Sequence, residues 1–418
     1  MILDRFAQLR SLLRKKLATF SMFFKTLLPD WNRGMIENVF CGSLRYGDSM
    51  RLQLTIDHIA IWAKPVTIFL EARRSMLAGL KEQTTKLVVT TQTKDHIYTS
   101  VDNGKTWANE YFQTPIAGRI KCSFTLDSGE RLIYTQNKMH HFDPSGKLLA
   151  VHTTGRWPWH GSQGIGQSVS GAVLYAEYAI IKNKNDMPVI HHVWRYRPQE
   201  GSWNAVFSID ASYCRHFHVC RPNPANPEQW VLSSGDLASQ CRLWTSEDDG
   251  DSWVEIDAAR VTITEIPGES RRQVFRFTQF SALSNGDLIW GTDDLLGVGC
   301  SALIRMSQAS GEPVFHFLGW LGDNCIRNII ACGDDRFILV SESKSETMST
   351  DVFLYDHNAG EISRLTVPNL NHQKCSVTDS LGSSYFIDGY AFVPAFGNIF
   401  LDRWGLLRIH IDGPHPVE

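Results

Sequence analysis

The chain has 418 residues, of which 43% are hydrophobic and 20% are charged, and its formal net charge is −3. This composition argues against a largely disordered chain, and the absence of a positive overall charge argues against a nucleic-acid partner. The nine cysteines are an odd number and include no Cys-x-x-Cys pair, so we expect reduced thiols in a cytoplasmic protein. The sequence contains no uncharged apolar run of about 18 residues, so no transmembrane helix is predicted.

The first 30 residues have the spacing of an amphipathic helix. Apolar side chains recur every three or four positions from Ile2 to Leu27, and six basic residues accompany one acid, Asp4, within residues 1–28. A basic amphipathic helix can bind an anionic membrane surface or pack against its own domain. We therefore predict a helix across residues 1–30, with two alternatives for residues 1–28: peripheral contact with the inner membrane surface, or docking on the rest of the protein.

Residues 31–85 form a connecting segment with weaker signals. Residues 52–66 have the composition of a β-strand, whereas residues 68–80 fit either a helix or a strand. We expect part of this segment to close a ring by adding a strand to the last unit of a repeat array formed by residues 86–418.

Two eight-residue segments share the pattern Ser-x-Asp-x-Gly-x-Thr/Ser-Trp. They run from Ser100 to Trp107 and from Ser246 to Trp253. In each, the Asp can accept hydrogen bonds from its own turn, the Gly can adopt positive φ, and the Trp can bury its ring between neighbouring units. The pattern predicts a repeat protein in which these turns are folding elements with no chemistry of their own.

Strand-turn-strand patterns recur through residues 86–418, with turn glycines 42 to 61 residues apart. This spacing is close to the period of a β-propeller blade with loop insertions, about 40–50 residues. Seven turns predict seven blades, and six blades with an irregular cap is the alternative. The turn glycines are Gly104, Gly146, Gly201, Gly250, Gly311, Gly360 and Gly405.

Each unit also contains an apolar strand that ends in a polar residue. These strands are residues 88–92, 132–136, 173–177, 230–236, 288–293, 338–342 and 399–402. We interpret them as the second strands of four-stranded blades, and the glycine turns as the links between third and fourth strands. Because neighbouring strands run antiparallel, the ends of second strands and the starts of first strands then share one face of the propeller. The glycine turns lie on the opposite face.

The repeated turns resemble the Asp box, or BNR repeat, of the sialidase-like β-propellers. The segments Glu177-Tyr178, Arg215-His216-Phe217-His218, Ser234-Gly235-Asp236 and Trp290-Gly291-Thr292-Asp293 are similar to those of bacterial Asp-box proteins known as sialidase-like or glycosyl hydrolases. The resemblance covers residues 85–410 and implies an all-β propeller that acts on carbohydrate. Sialidases carry an Arg-Ile-Pro motif, whose nearest counterpart here is Arg119-Ile120-Lys121.

Polar residues concentrate on the predicted face in the third to sixth units. Glycosidic cleavage uses paired carboxylates, and the candidates that end second strands are Glu177, Asp236 and Asp293. Guanidiniums bind carboxylates through two parallel hydrogen bonds, and the candidates near the starts of first strands are Arg215, Arg276 and Arg327. Three such cations in adjacent units predict an acidic ligand.

Histidine, tyrosine and tryptophan residues complete the predicted site. We interpret His216 and His218 as pointing to opposite faces of their strand, and we favour His218 as the ring that faces the channel. His218 or Tyr178 is the candidate base for a lyase. Trp159 and His160 lie in a glycine-rich loop, where a tryptophan either stacks on a sugar ring or packs within the loop.

Three functions fit these residues. The first is a glycoside hydrolase-like enzyme acting on an acidic glycan that contains uronate or sialate, and the second is a polysaccharide lyase at the same site. The third is a non-catalytic propeller that binds glycan or protein in surface-polysaccharide assembly. The spacing of His218 and Asp236 does not support metal ligation, so no metal or cofactor is predicted. The sugar, its linkage and the oligomeric state stay open.

Overall fold

The structure is a computed structural model. It describes residues 36–37, 43–46, 53–62, 68–76, 83–91, 96–102, 104–114, 116–135, 137–156, 158, 164–178, 190–266, 268–293, 301–307, 311–322, 325–342, 349–368, 370–371, 376–379, 386–387, 390–397 and 403–412. The predicted N-terminal helix, Trp159 and His160 lie outside these ranges. Within them, no helix has the length and hydropathy needed to cross a membrane.

The described strands form seven sheets that follow one another along the chain, and we number them blades 1 to 7. In blades 2 to 6, four antiparallel strands pair in sequence order, which is the arrangement of a β-propeller blade. The predicted all-β propeller is therefore confirmed, with seven blades among the described residues.

The strand bounds follow blade by blade, with first to fourth strands in order. Blade 1 consists of Ile68–Met76, Gln83–Thr91, His96–Ser100 and Ala108–Tyr111, with Ser376–Asp379 parallel to its first strand. Blade 2 consists of Cys122–Thr125, Arg131–Tyr134, Lys138–Phe142 and Leu148–Thr153. Blade 3 consists of Ile165–Gln167, Val173–Ala176, Ile190–Arg197 and Ser202–Asp210. Blade 4 consists of Phe217–Asn223, Asn226–Ser234, Arg242–Ser246 and Val254–Glu255.

The remaining blades complete the ring. Blade 5 consists of Ser281–Ala282, Leu288–Gly291, Ser301–Ser307 and Val314–Gly322. Blade 6 consists of Cys325–Ala331, Arg336–Glu342, Ser349–Asp356 and Glu361–Pro368. Blade 7 consists of Leu370–Asn371, Tyr390–Gly397, Arg403–Asp412 and Gln53–Trp62, with Phe386–Ile387, Ile36–Glu37 and Ser43–Tyr46 added at its sides. Three short 3-10 helices are Ala238–Gln240, Ala258–Arg260 and Gly268–Phe275.

Blade 7 joins the two ends of the described chain. Its fourth strand, Gln53–Trp62, pairs antiparallel with Arg403–Asp412. Gly405 lies inside the third strand, opposite Ile61 and Ala395, so the prediction of a turn at Gly405 is wrong. The reason is that the fourth strand comes from the other end of the chain, and blade 7 therefore needs no turn between its third and fourth strands.

Apolar side chains fill the space between neighbouring blades. Leu174 and Val193 of blade 3 meet Phe217, Trp230 and Trp244 of blade 4, and all five are buried. Equivalent clusters lie between blades 2 and 3, 4 and 5, and 5 and 6. Both faces of an inner strand are therefore covered by other blades, which explains why second strands such as Val173–Ala176 are apolar at every position.

The two eight-residue turns have the same internal hydrogen bonds and join the third and fourth strands of blades 1 and 4. Asp248 accepts from the backbone nitrogen of Ser252 at 2.8 Å and from its hydroxyl at 2.6 Å. Asp102 makes the same two contacts with Thr106, at 2.9 and 2.6 Å. The Trp253 ring lies 5.8 Å from that of Phe207 in blade 3, so the second turn also fastens blade 4 to its neighbour.

Substitution of Gly250, in the turn of blade 4, tests how much the contact of that turn with blade 3 contributes to stability. Gly250 has φ 85°, and an added Cβ would lie 2.7 Å from a methyl group of Leu174 in blade 3. Gly360, in the matching turn of blade 6, has φ 68° and no heavy atom within 4 Å of that position. Gly360→Ala should lower the free energy of unfolding by about 1–2 kcal/mol through positive φ, and Gly250→Ala by about 1–3 kcal/mol more through overpacking. Urea denaturation of both variants measures the difference, and equal losses would contradict the contact between blades.

Candidate functional site

Charged side chains from blades 4, 5 and 6 meet on the face opposite the glycine turns. They come from the ends of second strands and from the starts, or the approaches, of first strands, as the strand order predicts. We call this group the arginine cluster, and its members are Arg215, Arg276, Arg327, Asp236 and Asp293.

Asp236 lies at the centre of the cluster. Its carboxylate is 2.7 Å from an Nη atom of Arg215 and 3.5 Å from an Nη atom of Arg276. The residue adopts φ 92°, a conformation that costs a non-glycine residue about 1–3 kcal/mol and that persists only where its surroundings hold it. The preceding Gly235 packs so closely on the His218 ring that a Cβ would overlap it, and the Arg276 stem would also be crowded. The backbone is therefore shaped to place this carboxylate.

Asp293 is buried within the cluster, with its side chain 4% exposed. One carboxylate oxygen lies 3.2 Å from Nε of Arg276, and the other lies 3.5 Å from an Nη atom of Arg327. Its backbone nitrogen also donates to the carbonyl oxygen of Arg276 at 2.7 Å. Arg276 therefore bridges the two aspartates and links blade 5 to blade 4.

His216 and His218 both face Asp236, so the prediction that they point to opposite faces is wrong. Their Nε2 atoms are 3.1 Å apart, and they lie 3.4 and 3.5 Å from oxygens of Asp236. The reason is that side chains alternate along a strand, which places residues two apart on the same face. Both rings are buried.

Tyr178 packs against His216, and His191 packs against Phe217, which lies between the two histidines in sequence. The Tyr178 ring centre lies 4.3 Å from that of His216. Burial, together with the nearby charge of Asp236, raises the pKa of Tyr178, so its phenol stays protonated at neutral pH. His191 is completely buried, and burial followed by the neighbouring His216 and Arg156 lowers its pKa to about 4. His191 is therefore a neutral, buried ring at neutral pH, and the sequence analysis did not identify it.

Glu177 does not join the two aspartates, so the predicted set of three carboxylates does not form. One of its oxygens accepts from the indole nitrogen of Trp194 at 2.9 Å, and the other accepts from the backbone nitrogen of His192 at 3.0 Å. Gly155 packs against the same carboxylate, leaving no room for a side chain there. In the described part of the chain, Glu177 forms no ion pair with an arginine of the cluster, and its visible role is to hold blade 3 together.

The two aspartates of the cluster are ionised at neutral pH. Burial would raise the pKa of Asp293, but the guanidiniums of Arg327 and Arg276 hold that pKa below its usual value. Burial likewise opposes ionisation of Asp236, but the adjacent imidazoles of His216 and His218 keep the pKa of that carboxyl low. With both carboxylates charged, the three arginines give the cluster a net positive charge.

Asp236 and the two histidines that face it form a group of donors with the composition of a metal site. Ligand atoms of His216, His218 and Asp236 all lie within 4.8 Å of one another. Among the described residues this is the one group of three or more His, Cys, Asp or Glu side chains that meets this criterion. The six described cysteines are separate from it, buried and free of disulfides.

Comparison with known proteins places the molecule in a fold class. The blades and their ring define a seven-bladed β-propeller with a charged site at one end. No family model and no curated protein matches the chain. Solved structures do resemble it at low sequence identity, which establishes likeness of fold.

Three of these structures show the extent of the likeness. Oligogalacturonate lyase in complex with manganese has a TM-score of 0.53 and 11% identity, with 91% of this chain and 98% of that chain covered. The extracellular domain of a one-component system protein of B. thetaiotaomicron has a TM-score of 0.51 and 8% identity, with 84% of this chain and 39% of that one covered. A prolyl endopeptidase has a TM-score of 0.51 and 12% identity, with 82% of this chain and 47% of that chain covered. The chain thus spans less than half of the last two proteins.

Proposed function

We propose that the protein cleaves a uronate-containing glycan by elimination at the arginine cluster. The observation that supports this most strongly is the meeting of three guanidiniums from three consecutive blades around Asp236 and Asp293. Arg215 is the most exposed of them, with 39% of its side chain accessible. It is therefore the cation that a carboxylate arriving from solvent meets first, and a guanidinium binds a carboxylate with two parallel hydrogen bonds.

Elimination matches a site rich in cations. A base removes the proton from the carbon that bears the carboxylate, and the electrons of that bond form a carbon–carbon double bond. The glycosidic oxygen on the next carbon leaves with its electron pair and takes up a proton to become a hydroxyl group. Negative charge builds on the substrate carboxylate as the proton leaves, and fixed positive groups stabilise it.

Hydrolysis receives less support from the same geometry. It requires a protonated carboxyl group to donate to the leaving oxygen, paired with a second carboxylate. Asp293 faces two arginines, which favour its ionised form, and Glu177 is bonded within blade 3. Neither carboxyl is placed to donate a proton. A neighbour of the same fold, an oligogalacturonate lyase by name, adds support for elimination.

A direct assay distinguishes the two reactions. We expect incubation with oligogalacturonate to produce ultraviolet absorbance from a double bond conjugated to a carboxylate, together with new reducing ends. The Arg215→Ala variant should produce both much more slowly. New reducing ends without the absorbance would show hydrolysis instead. If several uronate oligomers yield neither signal, the proposal of a uronate lyase is wrong.

A further inference from the structure

We propose that His216, His218 and Asp236 bind a divalent transition-metal ion. The proposal rests on the positions of their ligand atoms. The two Nε2 atoms are 3.1 Å apart, and the distances from these nitrogens to oxygens of Asp236 are 3.4 and 3.5 Å. Two ligands that each lie about 2.1 Å from one ion, at an angle of about 90–110°, are about 3.0–3.4 Å apart. The three groups therefore have the separations of ligands on one metal ion.

Hydrogen bonding alone explains this arrangement less well than a bound metal ion does. Each Nε2 atom carries at most one proton, and an N–H to oxygen hydrogen bond is usually about 2.7–3.2 Å long. Both contacts to the carboxylate are longer than that, while the two nitrogens lie close together. A cation at the centre would attract all three groups at once.

The backbone supports the same interpretation. Asp236 is held at φ 92°, and Gly235 allows the chain to pass directly against the His218 ring. Strain of this kind is typical of ligand-binding positions. Two imidazoles and one carboxylate suit first-row transition ions such as Mn²⁺ or Zn²⁺, and three protein ligands leave open positions for water or substrate.

A metal ion here would extend the proposed function, and this part of the inference rests on that function. The ion would add positive charge next to Arg215, where the substrate carboxylate is expected. A water molecule bound at an open position would be acidified by the ion and would lose a proton to solvent. The resulting hydroxide would accept the proton removed in the elimination and become water again, and the leaving glycosidic oxygen would take its proton from solvent. The arginines repel a cation, so an anionic sugar should strengthen metal binding by compensating their charge.

Calorimetric titration of the metal-stripped protein with MnCl₂ or ZnCl₂ tests the site without reference to activity. We expect one ion per chain to bind, and galacturonate to raise its affinity. His216→Phe and His218→Phe keep a ring but lose the nitrogen, and each should weaken binding by more than about tenfold. His192→Phe, on the neighbouring blade, should bind as the unaltered protein does. Thermal unfolding of each variant shows whether it is folded.

The outcomes separate this inference from the proposed function. The absence of saturable binding of either ion up to millimolar concentration, or binding that the two histidine variants leave unchanged, would overturn the metal site. If the stripped protein still eliminates uronate under chelation, the lyase stands and the metal-bound base is wrong. If the ion binds as expected but no uronate oligomer is cleaved, the site stands and the lyase is wrong.

Discussion

Replacing Asp293 by asparagine is expected to lower the free energy of unfolding by about 3–5 kcal/mol. The substitution keeps the shape of the side chain but removes the negative charge that lies between Arg276 and Arg327. Since Asp293 is buried, water cannot compensate the two guanidiniums as it would at a surface. Urea denaturation at neutral pH measures the loss.

Asp287→Asn provides the matched control. Asp287 is also largely buried, but one arginine, Arg305, lies 3.6 Å from its carboxylate, so its replacement should cost clearly less. The pKa of Asp293 is lower in the folded protein than its usual value of 3.8, so its stabilising effect is complete above that pH. The difference in free energy of unfolding between the unaltered protein and Asp293→Asn should therefore decrease as the pH falls below about 4. Equal stabilities of the two proteins at pH 7 would contradict the bridging role of Asp293.

Replacing Arg215 by alanine is expected to weaken the binding of a uronate oligomer by about 10- to 100-fold. A hydrogen bond to a charged group contributes about 1.5–3 kcal/mol, and Arg215 is the most accessible cation of the cluster. Arg215→Lys should recover only part of the affinity, because an ammonium group cannot reproduce the planar pair of hydrogen bonds. Calorimetric titration with oligogalacturonate measures both variants.

Arg260→Ala is the control for the effect of Arg215→Ala on glycan affinity. Arg260 is similarly exposed, at 41%, and is paired with Glu312 outside the cluster, so its loss should leave glycan affinity unchanged. If Arg215→Ala binds as tightly as Arg260→Ala, the carboxylate of the substrate is not held at this position. The assignment of the cluster to an acidic ligand would then be untenable.

The sequence was sufficient to place the cluster on one face of the propeller. Asp236 and Asp293 follow second strands, and Arg215 precedes a first strand. In antiparallel blades these strand ends lie on the same face, independently of the loop conformations. Strand order alone thus brings together residues as distant in sequence as Arg215 and Arg327.

Side-chain direction was harder to predict than strand position. Glu177 occupies the expected place after a second strand, but its carboxylate bonds to Trp194, a partner 17 residues away that no local pattern marks. The expectation of opposite faces for His216 and His218 is wrong because side chains of a strand repeat every two residues, and both rings face Asp236. Gly405 was predicted to be a turn because it lies one repeat length after Gly360. Its strand instead pairs with Gln53–Trp62, which is distant in sequence.

The pairing of Gln53–Trp62 with Arg403–Asp412 also dictates an order of events during synthesis. The first of these strands leaves the ribosome long before the second exists, so the edge of Gln53–Trp62 that pairs with Arg403–Asp412 has no strand partner while blades 1 to 6 are translated. Exposed strand edges of this kind recruit other chains. We therefore expect the nascent chain to be prone to aggregation until Arg403–Asp412 is translated, because premature termination upstream of residue 403 would leave this edge of Gln53–Trp62 without its partner strand.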